Sequence, residues 1–198
     1  MSPIALSSRD RNFIADLEEL VACEDHGTLA SLRRGLGKPP GTEAQMYPFV
    51  ASRLPEDFSP REAEPYCLVA ALYAWHQIGW EPTEDKRPTN FGASFARLAA
   101  CIRQEIGRDV PSLERHFVAI LASDREDLPH RLRHAVGLLR SRAIPVDWAM
   151  LLHDLRYWET EDHRVQRAWG EAFWGRAPRA AEDQEGETEA DSESGETY

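Results

Sequence analysis

Apolar residues recur along this chain at the spacing of a helix and almost nowhere at the two-residue spacing of a strand, which restricts it to packed helices. Phe13, Ile14, Leu17, Leu20 and Val21 draw one stripe over Ser8 to Glu24. Leu29 and Leu32 mark a short helix from Thr28 to Arg34, ended by Gly35. Thr42-Glu43-Ala44-Gln45 reads as a capping box opening a helix towards Arg53, which Pro48 bends or breaks. Ser59-Pro60-Arg61-Glu62 is a stronger start, because an N-cap, a first-turn proline and a box glutamate coincide. The helix it opens carries Leu68, Val69, Leu72, Tyr73 and Trp75 and is expected at the centre of the fold.

Two prolines and several polar residues between Gly79 and Gly92 mark a long connection. Beyond it the apolar period resumes over Ala93 to Ile106, Pro111 to Ala122, Leu128 to Ala143, a Trp148-Leu151-Leu152-Leu155-Trp158 stripe, and a last helix with Val165, Trp169 and Phe173. Ser123-Asp124-Arg125-Glu126 reads as another capping box. The pattern predicts an all-α chain of eight to nine helices in two small lobes, residues 1–85 and 86–180, with no solenoid repeat. No run of eighteen apolar residues exists and the N-terminus lacks a signal-peptide core, so a soluble, cytoplasmic chain is expected.

Charge is segregated. The formal charge is −11, but residues 181–198 hold eight acids and no Lys or Arg, and removing those eight leaves −3 for residues 1–180. A segment of that composition cannot bury enough apolar surface to offset its ordering entropy, so a disordered acidic tail is expected. It reads either as a solubilising extension or as a decoy that competes with nucleic acid. Against it stand three windows free of acids. Leu128 to Ala143 carries Arg131, Arg133, Arg140 and Arg142; Gly27 to Thr42 carries Arg33, Arg34 and Lys38; Lys86 to Gln104 carries Lys86, Arg87, Arg97 and Arg103. Segregated positive charge is the footprint of a phosphate-binding surface when folding unites the windows. On a helix Arg133 and Arg140 fall on one flank of the buried seam, near Gly137, and Arg131 and Arg142 on the other. Gly137 either admits a phosphate backbone or marks tight helix packing. The loop from Gly35 to Gly41, with Lys38, suits phosphate contacts that read no bases.

Catalytic patterns are weak. His130 and His134 stand four apart, yet no glutamate lies between them and no third ligand is evident, which argues against zinc. There is no phosphate-loop signature, nucleophile elbow or cysteine pair at metal spacing. Cys23, Cys67 and Cys101 each fall in an apolar stretch and read as reduced core thiols. Trp80 and Trp174, at element ends, are the tryptophans expected to be exposed.

The run Leu128-Pro129-His130-Arg131-Leu132-Arg133, followed by Ile144-Pro145-Val146-Asp147-Trp148, Leu151-Leu152, Asp154-Leu155 and Trp158, and then Val165-Gln166-Arg167, Trp169 and Phe173, resembles the CasB family. That family is the small subunit of the type I-E CRISPR surveillance complex Cascade. Leu32-Arg33-Arg34-Gly35 and the Met46-Tyr47-Pro48 turn resemble its N-terminal signature, so the resemblance spans nearly all of residues 8–174. It implies a non-enzymatic, two-lobed helical subunit without cofactor or metal, present as two copies beside CRISPR RNA and target and displaced DNA strands, with the backbone and large subunits as further partners. The implied nucleic-acid-binding positions are Arg33, Arg34, Lys38, Arg131, Arg133, Arg140 and Arg142, stabilising the R-loop while RNA pairing selects sequence. The competing reading is a helical adaptor whose arginines bind acidic proteins and not nucleic acid.

Overall fold

The computed structural model describes residues 6–80 and 89–175. Within them lie nine α-helices: α1 (Ser8–Ala22), α2 (His26–Arg33), α3 (Tyr47–Val50), α4 (Pro60–Trp75), α5 (Phe91–Ile106), α6 (Pro111–Leu121), α7 (Leu128–Arg140), α8 (Trp148–Arg156) and α9 (Arg164–Trp174). The described residues contain no strand, only one isolated bridge between Gly79 and Val146. The all-α expectation therefore holds. The 85/86 boundary, Lys86, Arg87 and the acidic tail lie outside the described residues.

Local chemistry explains most boundaries. Asp25, Asn90 and Asp147 accept hydrogen bonds from the first-turn amides of α2, α5 and α8. Ser59 and Glu62 close the reciprocal capping box of α4. Gly107, at φ 68°, ends α5 in the left-handed region. Two capping expectations fail because local side chains find other partners. Thr42 donates to the Pro39 carbonyl, so Glu43 caps only a 3₁₀ turn, and the segment to Arg53 is split into 3₁₀, α3 and 3₁₀ pieces. Ser123 donates back to the Ala119 carbonyl, and Asp124 instead accepts from the Asp127 amide ahead of α7.

Helix α4 is buried almost throughout its second half, from Val69 to Ala74, and it is the central helix as its composition predicts. It packs on α2 and α8, α1 packs on α8, and α5 lies along α9. Gly92 permits the last pairing, since a Cβ there would collide with the Trp169 backbone. One continuous apolar core links the N-terminal and C-terminal helices, with Tyr66, Phe91, Phe95, Phe117, Trp148 and Trp169 its largest members.

Two carboxylates sit inside this core. Asp10 on α1 is fully buried, accepts two hydrogen bonds from the Arg156 guanidinium on α8 at 2.9 Å, and accepts a third from the Tyr66 hydroxyl on α4 at 2.8 Å. It ties three helices together. Asp154 on α8 accepts from the Trp169 indole at 2.6 Å, and burial pushes its carboxyl up to about 7. Cys67 is a buried, free thiol as expected, whereas Cys101 is only half-buried and Cys23 is exposed, because α1 turns its last residues outward. Trp174 is exposed as expected, while Trp80 is half-covered beneath the Arg97 guanidinium, 3.9 Å from the ring centre. No helix among the described residues is long and apolar enough to cross a membrane.

Candidate nucleic-acid interface

Folding joins two of the acid-free windows at one place. The Gly35–Pro40 loop after α2 faces the first turns of α7 across an open groove of about 710 Å³, floored by Pro65, Leu68 and Ala71 of α4 with Leu155 and Trp158. Gly37 adopts φ 79°, and a Cβ at that position would overlap Nη1 of Arg133. The Arg133 guanidinium therefore rests against the loop backbone. Lys38 and Arg133 line the same groove from opposite walls, ninety-odd residues apart in sequence.

The seven sequence-predicted cations divide by partner. Lys38 pairs with Glu43, Arg131 with Asp127 at 3.8 Å, and Arg142 with Glu105 at 2.9 Å. The ion pairs hold Glu43 and Glu105 below the ordinary glutamate range, chiefly through the hydrogen bonds from Lys38 and Arg142. Arg33, Arg34, Arg133 and Arg140 are exposed and have no acidic partner among the described residues. Arg33 spends its Nε on the Leu29 carbonyl, which leaves the outer edge of its guanidinium open. Arg34 contributes the weakest of the effects that lower Glu43. Arg140 follows Arg133 after two turns of α7, about 10 Å along the axis, and rests over the Trp75 ring at 5.5 Å.

Gly137, between these arginines, faces inward: a Cβ there would stand 3.0 Å from the Trp75 ring. Tight packing, not phosphate approach, accounts for it. The third window contributes differently, with Arg97 stacked on Trp80 and Arg103 paired with Asp109 at 2.6 Å.

Two further cations at the groove escaped the sequence reading. Pro65 has no N–H to give the Arg61 carbonyl, and Arg125 donates to that carbonyl in its place. The same guanidinium meets Glu64 at 3.0 Å and Glu159 at 3.4 Å, while Arg61 meets Glu159 at 2.5 Å. All four of these charged residues line the groove. Its members are 34 to 98 residues apart, so only the mid-helix proline hinted at it.

The histidines form no catalytic set. His130 lines the groove, whereas His134 meets His116 of α6, nitrogen to nitrogen at 3.2 Å. Burial, with His134 and Arg131 adding to it, holds His116 below the usual imidazole range. No group of three or more His, Cys, Asp or Glu converges among the described residues.

Comparison with known proteins brings one family. A model described as CRISPR-associated protein Cse2 matches residues 28–174. A CRISPR-associated protein Cse2 of Thermus thermophilus is 33% identical over 166 residues, which cover 81% of this chain and 86% of that protein. The crystal structure of CasB from M. ruber superposes with a TM-score of 0.70 at 32% identity, over 84% of this chain and 93% of the other. A chain of a CRISPR RNA-guided surveillance complex shares the fold at 24% identity, with a TM-score of 0.66 over 83% of this chain and 91% of the other.

Proposed function

Because the chain belongs to the CRISPR-associated Cse2 family, we propose that it is the non-catalytic small subunit of an RNA-guided DNA surveillance complex of the Cascade type. In that reading it works in the cytoplasm, in two copies, beside the backbone and large subunits, CRISPR RNA and both DNA strands. Base pairing with the RNA selects sequence, and the small subunit holds a strand by its phosphates. The lobes 1–85 and 86–180 supply one wall each of the phosphate track.

The observation that carries the reading is the seating of Arg133 on the Gly37 backbone, which brings the basic loop of the first lobe onto the basic helix of the second. Arg33, Arg34, Arg133 and Arg140 are the strand-facing cations, since a guanidinium without a carboxylate has donors to give a phosphate. Lys38 joins them when it exchanges Glu43 for a phosphate. Arg131 and Arg142 are assigned a secondary part, because each must first leave its carboxylate.

The test is the salt dependence of R-loop formation by the assembled complex carrying Arg133→Glu and Arg140→Glu in this subunit. Each lost phosphate contact to a single strand removes about 0.7 from the salt exponent, so the double variant, carried by both copies and losing four contacts, is expected to flatten it by about 2.8. An unchanged exponent and affinity would overturn the assignment and favour an adaptor that meets only protein.

A further inference from the structure

The acidic C-terminal segment lies beyond the family match, which ends at residue 174. Its acids are not randomly spaced. Glu185, Glu187, Glu189, Asp191 and Glu193 occupy every second position, separated by Gly186, Thr188, Ala190 and Ser192. In extended backbone, alternate side chains share one side at about 6.6 Å intervals. The five carboxylates would form a single anionic row, and the small residues between them leave the opposite side narrow. Such a row offers what a nucleic-acid strand offers: regularly spaced negative charge on a slender chain.

The groove between the Gly35–Pro40 loop and α7 has the complementary form. It is open, it is bordered by the Gly35–Pro40 loop and the first turns of α7, and its floor of Pro65, Leu68, Ala71, Leu155 and Trp158 is apolar. Glu64 and Glu159 in its lining are already taken by Arg61 and Arg125, and Glu126 is the one remaining acid on its border. Arg133 and Lys38 both line it, Lys38 paired with Glu43, and Arg140 lies two turns further along α7.

The connection reaches. Ten residues separate Gly175 from Glu185 and eighteen separate it from Glu193, which span up to about 33 and 60 Å when extended. A compact body of this size has a radius of gyration of about 16 Å, so the far end of the row reaches over a distance comparable to the width of the body. Tethering also gives the segment a local concentration near the millimolar range, so a weak electrostatic contact is enough to populate it.

We propose that residues 185–193 occupy this groove as an intramolecular mimic of a nucleic-acid strand, held by Arg133 and by Lys38 once it exchanges Glu43 for a tail carboxylate. A phosphate backbone must displace them, so the segment selects against weak, non-specific nucleic acid and yields to a strand presented by the assembled complex. The competition half of this proposal rests on the phosphate-binding function above. The docking half does not.

Chemistry available in the chain separates the two. Lys38 and Lys86 are the only lysines, so a zero-length carbodiimide crosslink from a tail carboxylate can form at few places besides the N-terminal amine. In the full-length chain at low salt, amide bonds between Lys38 and residues 185–193 are expected by peptide mass spectrometry. They should disappear in about 1 M sodium chloride, where the Debye length is about 3 Å, and fall at least about fivefold in Arg133→Glu. Arg103→Glu, whose parent side chain is engaged by Asp109 elsewhere, should leave them in place. Tail crosslinks confined to Lys86 and the N-terminal amine, or a Lys38 crosslink indifferent to Arg133→Glu, would overturn the docking. Neutralising the five acids in the full chain to Gln or Asn should tighten single-stranded DNA binding about three- to tenfold at low salt and not at about 1 M. Unchanged affinity in a chain that does bind DNA overturns the competition. A chain that crosslinks as expected but binds no DNA with either tail retains the docking and refutes the phosphate-binding function instead.

Discussion

Replacing Asp154 by Asn tests whether the core of this fold carries a protonated acid at neutral pH. Asp154 is 4% exposed, and its carboxyl is pushed from 3.8 to about 7, first by burial and despite the Trp169 indole that donates to it. Between those two values the folded chain holds a proton that the unfolded chain has released. Stability must therefore fall as pH rises from about 4 to about 7, and level off above. At 1.36 kcal/mol per unit, the three units bound the total at about 4 kcal/mol. Asn keeps the carbonyl that receives the indole N–H and cannot ionise, but its amide brings donors that cost about 1–3 kcal/mol if unmet. At pH about 4 the variant should be the weaker, and at pH about 8 it should be the more stable protein by about 1–3 kcal/mol. Burial holds His76, His116 and His153 below the usual imidazole range, so these groups add stability as pH rises towards 6.5. Because they are common to both proteins, the difference between urea-melt profiles isolates Asp154. Parallel profiles for parent and variant across this window would refute the buried-acid reasoning.

Asp10→Ala should cost about 3 kcal/mol in urea unfolding, the lower end for breaking a buried pair, because the Arg156 side chain left behind is 27% exposed and can rehydrate. A change below about 1 kcal/mol would mean that the three-helix tie contributes little. Gly92→Ala should lower stability by about 3 kcal/mol, since the added methyl meets the Trp169 backbone, which cannot swing aside as a flexible side chain does. Thermal unfolding reads this directly, and a melting temperature within a degree or two of the parent would show that α5 and α9 tolerate separation.

The helices were legible because each is written in short-range code. The 3.6-residue period, Ser59-Pro60 with Glu62, and Asp147 before Trp148 all act within one or two turns, where sequence distance equals physical distance. Where a capping side chain had two local partners to choose from, the code was ambiguous, and Thr42 and Ser123 took the other partner. Cys23 was misread for a related reason: apolar neighbours do not say which side of a helix end faces water. The groove network was invisible, since Arg125 and Arg61 find Glu64, Glu159 and a carbonyl freed by Pro65 over separations of 34 to 98 residues.

The acid-free window, with Arg131, Arg133 and Arg140 on α7 and Arg142 in the turn that follows it, shows where a charge census stops being informative. Absence of acids nearby in sequence gave four equivalent arginines, yet the fold supplies carboxylates from elsewhere to one flank only. Arg142 meets Glu105 on α5, and Arg131 reaches Asp127, one residue before the helix begins. The other flank meets backbone and an aromatic ring: Arg133 the Gly37 loop, Arg140 the face of Trp75. These surroundings orient a guanidinium without neutralising it, because neither a peptide group nor a ring carries net charge. Phosphate affinity therefore depends on which neighbours fold against a cation, and the helical phase that separated the two pairs matters through the partners it selects.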